Sequence, residues 1–352
     1  MPIFYLGQAI KNQATKERGD SMQSRQKQSY NISTVFVLGI LLIILVPLFL
    51  GSKTLTIPNS FPQLNTIFLS ILIEAIPFVL IGVLIAGFIQ IFITEDHIRK
   101  WIPKNKFLAV VMSCVVGAAF PACECGIVPI VRRLIGKGVP LYAGVGFLLT
   151  GPLINPIVIL STYMAFGNDM EMALLRMGVG FVAALAIALT VSILFKSNQL
   201  KKSTGNFESA TTGNKKQPFA ARLHEMLKHS IDEFFDMSKY LIAGAFVAAF
   251  LQTYVSTQSL LQLGSSQMQS TFVMMALAFI LSLCSEADAF IGASFRNVFP
   301  TSSILAFLIY GPMIDLKNTI MLLSVFKAKF VFVLFILITS IVFLFVNLTI
   351  LL

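Results

Sequence analysis

The sequence predicts an all-α, polytopic membrane protein whose two halves form an inverted repeat with broken helices and re-entrant hairpins. Of the 352 residues, 56% are hydrophobic and 12% charged, with a mean hydropathy of +0.84, which is too apolar for a soluble core. Residues 120–135 (FPACECGIVPIVRRLI) and 151–156 (GPLINP) interrupt this apolar sequence, and similar breaks recur in the second half. Irregular backbone at membrane depth is tolerated only inside protein or along a cavity, so each break indicates a site.

The basic residues give a formal net charge of +10 and lie mainly between the apolar runs. Lys and Arg are enriched on the cytoplasmic side of membrane proteins, so we interpret them as topology signals and expect no nucleic-acid partner. The four cysteines lie in apolar segments, which argues against a secreted disulfide framework. The first apolar run is long enough to stay as an anchor, so we expect no cleaved signal peptide and a multi-pass location in the cell membrane.

The N-terminal elements follow from the distribution of charge. Residues 1–32 are polar and basic, which predicts a cytoplasmic tail. Residues 33–65 contain an outward span, 33–50, and an outer loop with one charged residue. An inward span then begins the first membrane repeat, 66–195, and ends at the basic cluster EDHIRKWIPKNK, which predicts a cytoplasmic landing.

The next segment, 107–135, has basic residues at both ends and Pro-Ala-Cys-Glu-Cys-Gly in its middle. Basic ends on one side of the membrane favour a re-entrant hairpin, although a plain crossing stays open as an alternative. Residues 139–166, broken at GPLINP, are expected to cross outward. Residues 172–195 then return to the cytoplasm.

Residues 196–235 are rich in Lys, Ser, Thr, Gly and Asn, which is typical of a flexible cytoplasmic linker, with an amphipathic helix possible from Pro218 onward. The second membrane repeat covers 236–352. It contains an outward span, an interrupted segment around Cys284-Ser-Glu-Ala-Asp288, an inward broken span and a last outward span.

The two halves share small and polar residues at constant spacing. Gly82 and Gln90 match Gly244 and Gln252 at the same separation, and the break GPLIN matches GPMID near the end of the chain. If both interrupted segments are hairpins, each half makes three crossings. Because three is odd, the second half is inverted relative to the first, as in many secondary transporters.

The breaks place cysteines and carboxylates where a pathway for substrate or ion is expected. Ionisable groups are costly inside a membrane and normally face a pathway, a partner or a proton relay. Glu124 and Glu286 occupy equivalent breaks, and proton coupling is one role they could serve. Glu74 and Asp236 also lie near spans, the latter close to a polar entrance. The predicted pathway residues are Cys123, Glu124, Cys125, Asn155, Cys284, Glu286, Asp288 and Asp315.

Cysteine next to carboxylate favours soft or borderline species, so Cys123 and Cys125 are candidate ligands for a metal or metalloid. Their spacing separates them on a regular helix but lets them converge in an unwound loop. The alternative is that they are small residues that allow close helix packing, the reading favoured for Cys114. Arg133 and Arg296 are possible partners of the carboxylates, although Arg133 is close to the cytoplasmic surface.

The Gly-Pro breaks are expected to start half-helices. Asn155 before Pro156 is typical of an N-cap followed by proline in the first turn, which directs the positive end of a helix at the membrane interior. Asp315 occupies the corresponding place and is followed by Leu316. The two half-sites therefore differ, and the acidic cap favours a cationic or protonated ligand.

The motifs resemble a known family. FPACECGIVPIVRRLIGKGVPLYAGVGFLLTGPLINPIVI, SLCSEADAFIGASF and LIYGPMIDLKN are similar to the bacterial predicted permeases that include the organoarsenical efflux permeases. The resemblance covers both halves outside the tail and the linker. It implies an inner-membrane permease, often encoded beside a second, smaller permease subunit. It implies organoarsenical transport only if the Cys-Glu-Cys residues do the same work here.

We therefore predict a permease that moves a small molecule or ion through a central site, not an enzyme, and we expect no cofactor. The sequence contains no Walker A loop, HExxH or dinucleotide glycine motif. Two alternatives stay open. One is a membrane-embedded thiol redox enzyme, for which Cys-x-Cys is not the usual Cys-x-x-Cys spacing. The other is a permease subunit active only with a second membrane protein.

Overall fold

The computed structural model describes residues 60–93, 98, 102–103, 105–195, 197–201, 219–254 and 266–349. The predicted tail, 1–32, and the predicted first span, 33–50, lie outside the described residues. So do residues 202–218 of the linker and residues 257–265 of the loop expected after the first span of the second repeat.

Twelve helices occupy the described part of the chain. They are α1 (Ser60–Phe92), α2 (Lys106–Ala118), α3 (Glu124–Gly136), α4 (Leu141–Ile154), α5 (Pro156–Ala165), α6 (Met170–Leu194), α7 (Phe219–Tyr254), α8 (Gln267–Leu281), α9 (Ser285–Ser294), α10 (Thr301–Met313), α11 (Leu316–Val325) and α12 (Ala328–Leu348).

Six segments of the described chain are long and apolar enough to cross a membrane, three in each predicted repeat. They are α1, α4 with α5, α6, α7, α10 with α11, and α12. This confirms the prediction of an all-α, polytopic membrane protein. The two broken segments are the most enclosed, with 78% and 83% of their most apolar windows buried against 28–39% in the others. The helix breaks therefore lie at the centre of the molecule.

The first hairpin consists of α2 and α3, each 13 residues long. A 13-residue helix spans about 20 Å, which is short of the ~30 Å hydrocarbon layer. Helix α2 runs parallel to α4, because Cys114 lies against Gly146 and Gly117 lies further along against Thr150. The absence of a side chain on these glycines permits the close approach.

Helix α3 runs antiparallel to α4. Ile135 near its end packs on Gly144, and Ile127 near its start packs on Gly151. Since α2 is parallel and α3 antiparallel to α4, they are antiparallel to each other. This antiparallel pair of short helices agrees with the prediction of a re-entrant hairpin for this segment.

The second hairpin repeats this arrangement with α8, α9 and α10. Ser270 Oγ lies 2.8 Å from Ser303 Oγ, while Ala278 lies against Gly311, so α8 is parallel to α10. Helix α9 is antiparallel to α10, because its later residue Gly292 packs against Leu308 and its earlier Asp288 against Gly311.

The two hairpins enter from opposite faces. At the base of the first, Lys137 Nζ donates to Gln90 O at 2.6 Å, next to the end of α1. At the base of the second, Arg296 donates to Phe166 O at 3.2 Å, between α5 and α6. Helices α4 and α5 lead across the molecule from the first base to Phe166. The two repeats are therefore inverted, as predicted.

Helices α1 and α7 pack antiparallel, with Ser230 Oγ donating to Val83 O at 3.1 Å and the Phe68 ring meeting Phe246. Helix α7 is continuous for 36 residues and passes through the predicted boundary between linker and second repeat at 235/236. The amphipathic helix expected after Pro218 and the span that follows it are thus one helix.

Helix α12 shows how an apolar span selects its packed face. Its residues are apolar nearly all round, yet a residue at every fourth position is buried, while others such as Phe332 and Leu344 are exposed to the surroundings. Residues four apart lie on one face of a helix. The buried face consists of Phe330, Leu334, Ile338, Val342 and Val346.

Candidate functional site

Three helix breaks meet around Lys317, the second residue of α11. Its Nζ lies 3.1 Å from Glu124 Oε1 at the tip of the first hairpin and 3.3 Å from Ser282 O at the tip of the second. It is also 3.7 Å from Asp315 Oδ2 at the break between α10 and α11. The lysine is 4% exposed. One buried ammonium group thus connects both hairpins to a broken span.

Glu124 is the first residue of α3 and is 2% exposed. The N–H groups of a first helical turn have no partner within the helix and carry positive partial charge, which stabilises a carboxylate there. Its other oxygen, Oε2, has no hydrogen-bond partner among the described residues. Helix dipole and Lys317 together supply the compensation that a buried carboxylate needs.

Ser282 orders the tip of the second hairpin. It ends α8 in the left-handed conformation, with φ of 45° and ψ of 44°, which a residue with a Cβ rarely adopts. Its Oγ accepts hydrogen bonds from the backbone N–H groups of Leu316 at 3.1 Å and Lys317 at 3.4 Å. The tip therefore caps the start of α11 from another element. This strained turn fixes the end of one helix against the start of the next.

The caps of the two broken spans follow the sequence prediction. Asn155 Oδ1 accepts from Val158 N–H at 2.9 Å, with Pro156 in the first turn of α5. Asp315 Oδ1 accepts from Asn318 N–H at 2.5 Å at the start of α11. Both half-helices thus begin where expected, one with a neutral cap and one with an acidic cap.

A second buried cation, Arg176 of α6, lies on the other side of the cluster and is 2% exposed. It donates to Thr162 Oγ1 at 2.7 Å and to Ser285 O at 3.1 Å, which connects α5 to the second hairpin. Its charge acts on Asp288 and Glu286. Asp288 is 1% exposed, and neither of its oxygens has a hydrogen-bond partner among the described residues.

The thiols of Cys123 and Cys125 are within hydrogen-bonding reach of each other. They converge because Cys123 is the N-cap of α3, with an extended backbone, while Cys125 is already helical. Both are buried, and Cys114 lies apart, packed against Gly146. The structure thus realises the convergent geometry, and the packing interpretation for Cys114 agrees with its position.

Cys284 is the N-cap of α9, where its Sγ accepts from Ala287 N–H at 3.3 Å. Its thiol also reaches the carboxyl group of Glu74 on α1, which brings that residue to the site. Within the described residues, no three or more His, Cys, Asp and Glu side chains are grouped closely enough to hold a metal ion.

Two expectations about charged residues need correction. Arg133 pairs with Glu233 of α7, and Arg296 pairs with Asp169 at 3.3 Å. Both arginines lie near hairpin bases, far from the tips, so neither is a partner of the carboxylates at the breaks. Asp236 is exposed and pairs with Lys239 at 3.1 Å on the surface of α7, which agrees with an interfacial position.

Glu124 and Glu286 are also not equivalent in detail. The former is the first residue of its helix and buried, whereas the latter is the second residue of α9 and half-buried. The breaks correspond, but the carboxylates are displaced by one helical position and therefore point about 100° apart around their helices.

Sequence reasoning missed Lys317, Arg176 and Ser282. The first two carried a usable signal, because an ionisable residue within an apolar run is costly unless it has a partner. Lys317 follows the Gly-Pro break directly, and Arg176 interrupts MALLRMGVG. Ser282 carried no such signal, since its role depends on a backbone conformation that serine rarely adopts.

The chain was compared with known proteins. The model of the family described as ArsP_1, predicted permease, matches residues 60–350. "UPF0718 protein YcgR" of Bacillus subtilis is 52% identical over 280 residues, covering 80% of this chain and 94% of that protein. "Putative two-component membrane permease complex subunit" of Streptococcus mutans is 43% identical over 275 residues, covering 78% and 91%.

A more distant relative is "UPF0718 protein MJ0584" of Methanocaldococcus jannaschii, 28% identical over 143 residues, covering 40% of this chain and 39% of that protein. No solved structure matches the chain. The family match extends over both repeats, from the start of α1 to just beyond the end of α12. Together with six membrane-spanning segments, these likenesses show that the chain belongs to the ArsP_1 family of predicted permeases and is a multi-pass protein of the cell membrane.

Proposed function

We propose that this permease moves a small substrate through the central site between the two hairpin tips. The observation that supports the proposal most directly is the buried Lys317, which contacts Glu124 and Ser282 at the two hairpin tips, beside the break between α10 and α11. Broken helices facing a charged, enclosed centre are typical of substrate sites in transporters with inverted repeats. The pathway residues would be the eight predicted from sequence, joined by Lys317 and Arg176.

The arrangement suits alternating access. The two hairpins approach the centre from opposite faces, so withdrawal of one tip would open the site to one side while the other tip keeps it closed. Transporters with inverted repeats alternate by rocking one repeat against the other around a fixed site. Here the ionic contacts at the tips would be exchanged for contacts with the substrate.

For the cargo, we propose a thiophilic species such as a soft metal ion or a trivalent organoarsenical. The support is the pair of adjacent buried thiols, Cys123 and Cys125, beside the central cation. Thiolates bind soft acceptors far better than hydroxyl groups do. Cargo would then be held by sulfur at the first tip and leave when the second hairpin withdraws.

The test is uptake of a trivalent methylarsenical into proteoliposomes that contain this chain alone. Replacing both cysteines with serine preserves small size but removes the soft ligands, so we expect at least a roughly tenfold fall in initial rate. Cys114→Ser, on the packed face of α2, is the matched control and should retain the rate. Wild-type transport in the double serine variant would assign the two cysteines to packing only.

A second candidate is that the chain works as one subunit of a two-component permease, supported by the name of the Streptococcus mutans relative. In that case proteoliposomes with this chain alone would be inactive, and co-purification with a second membrane protein would restore transport. Membership of a permease family favours a transporter over the thiol redox enzyme. An enzyme would cycle Cys123 and Cys125 between dithiol and disulfide without moving cargo.

A further inference from the structure

Asp288 is the buried carboxyl group of the described chain in which both oxygens lack a hydrogen-bond partner. It lies on the first turn of α9, is 1% exposed, and neither oxygen accepts a hydrogen bond from a described residue. Its Oδ2 points at the backbone of Gly311, where an added Cβ would lie only 2.6 Å away. A buried carboxylate without donors is strongly unfavourable, whereas a neutral carboxyl group tolerates such surroundings.

The charges around it do not balance. Among the described residues at the centre, the fully buried carboxyl groups are Glu124, Asp288 and Asp315, while the buried cations are Arg176 and Lys317. Lys317 contacts two of these carboxyl groups directly. Arg176 directs its hydrogen bonds to Thr162 and to the Ser285 carbonyl, not to a carboxylate. One negative charge is therefore left over, and Asp288 is the one of these three carboxyl groups that no cation contacts directly.

The groups that act on Asp288 come from several elements. They are Arg176 on α6, Glu124 on α3, Asp315 at the break and Lys317 on α11. Glu286, on the same helix as Asp288, acts on Arg176. On α10, which packs against α9, Tyr310 is bonded to Thr339 of α12 at 2.8 Å and faces away. Glu74 of α1 lies at Cys284, the N-cap of the same helix.

We propose that Asp288 is the proton-binding residue of this permease and carries one proton in the conformation described here. The role of this proton in transport rests on the proposed function. The proton site itself rests on the burial of Asp288 and on its two oxygens that accept no hydrogen bond from a described residue. A proton needs one oxygen, which Asp288 supplies. Binding a proton makes the Asp288 carboxyl group neutral. The charges of the fully buried groups at the centre then balance, with two carboxylates, Glu124 and Asp315, and two cations, Arg176 and Lys317.

Proton release would be linked to hairpin movement through Arg176. The Nε group of this arginine has no hydrogen-bond partner among the described residues, so a donor is available. When Asp288 loses its proton, the carboxylate competes for the guanidinium group and weakens its bond to the Ser285 carbonyl. Because that bond connects α6 to the second hairpin, deprotonation favours release of the hairpin tip.

The experiment is infrared difference spectroscopy of the full chain in lipid, between acid and alkaline buffer, with protein labelled by carbon-13 at the aspartate side-chain carboxyl. A protonated carboxyl group gives a distinct C=O band, which the label shifts for aspartate but not for glutamate. We expect a label-sensitive band from one buried aspartate in wild type and its loss in Asp288→Asn. Asp236→Asn, an exposed aspartate of α7, is the matched control and should keep the band.

If Asp288→Asn does not fold, Asp288→Glu decides the case, because the band then no longer shifts with labelled aspartate if Asp288 carries the proton, and a shift that persists overturns the proposal. Absence of a label-sensitive band at every pH, or its retention in folded Asp288→Asn, overturns the proposal. So does a band that disappears at constant pH when sodium replaces choline, since that would make the site a sodium site. The measurement needs no cargo, so failure of arsenical transport overturns only the proposed cargo.

Discussion

The two hairpins share a topology but are held in different ways. At the base of the first, Arg132 and Arg133 both pair with Glu233, whose side chain is 2% exposed. At the base of the second, Arg296 pairs with Asp169, with side chains 57% and 31% exposed. Breaking a buried pair leaves an uncompensated charge, whereas an exposed pair contributes little. The first hairpin is therefore the firmly anchored one, and the second is the better candidate for the moving element.

The contacts at the two tips also hold the first hairpin more firmly than the second. The first tip is fixed by the contact between Glu124 and Lys317, and the residue of the first repeat that corresponds to Lys317 is Ile157, which is 55% exposed. The second tip is held by hydrogen bonds to backbone carbonyl and N–H groups, through Arg176 and Ser282. An approximate repeat thus supports unequal roles, because a few charged residues were placed in only one half.

Helix packing also departs from the symmetry. Gly82 of α1 packs on Gly126 of α3, whereas the matching Gly244 of α7 packs on Lys317 of α11. The counterpart of α3 in the second repeat is α9, not α11. Helices α1 and α7, which precede the two hairpins, therefore pack against elements that are not equivalent. Both α1 and α7 lie beside the firmly anchored first hairpin.

The largest expected effect tests the contact at the first tip. Lys317→Met removes the cation and leaves Glu124 and Asp315 buried without it, which should lower the free energy of unfolding by about 3–5 kcal/mol. Denaturation in mixed micelles measures this change. The control is Ile157→Met, which introduces the same residue at the corresponding position of the first repeat. Because Ile157 is exposed, this substitution should change the free energy of unfolding by less than ~0.5 kcal/mol.

The double variant sharpens this test. In Lys317→Met with Glu124→Gln, the uncompensated carboxylate at the hairpin tip is gone, so part of the lost stability should return. If the changes in the free energy of unfolding of the two single variants simply add, Lys317 and Glu124 are not energetically coupled. The conclusion that their contact fixes the first tip would then be wrong.

The next prediction compares the two bases. Glu233→Gln leaves two arginines without their carboxylate and should destabilise the protein by roughly 2–4 kcal/mol. Asp169→Asn removes an exposed pair and should cost no more than about 1 kcal/mol. Both are measured by the same denaturation series, with added salt as a further variable. Equal effects of the two substitutions would remove the distinction between an anchored and a movable hairpin.

The smallest expected effect concerns the matched glycines. A Cβ at Gly82 would lie 2.2 Å from the Gly126 carbonyl oxygen, so Gly82→Ala forces helix α1 away from α3 and should cost about 1–3 kcal/mol. At Gly244 the nearest atoms are at 3.2 Å, and Gly244→Ala should change stability by less than ~1 kcal/mol. Thermal unfolding in detergent compares the stabilities of the two variants, and we expect Gly82→Ala to be the less stable. A less stable Gly244→Ala variant would contradict the difference in packing between the two repeats.

Much of the architecture was predictable because its signals are local. The composition indicates a membrane protein, basic clusters at both ends of one segment predict the first hairpin, and Asn155 before Pro156 predicts the start of a half-helix. Each inference needs only residues within about one span of each other. Convergence of Cys123 and Cys125 was likewise open to prediction, since a break in the helix is visible in the sequence.

The tertiary structure alone decided the partners of the buried charges. Glu124 and Lys317 are 193 residues apart in the chain and meet only because two inverted repeats bring a hairpin tip and a broken helix together. The sequence indicated Arg133 and Arg296 as partners, but helix length places these residues at the hairpin bases. Local patterns determine where a helix begins, breaks and leaves the membrane. Which charges compensate each other depends on distances between helices, and no local pattern contains those distances.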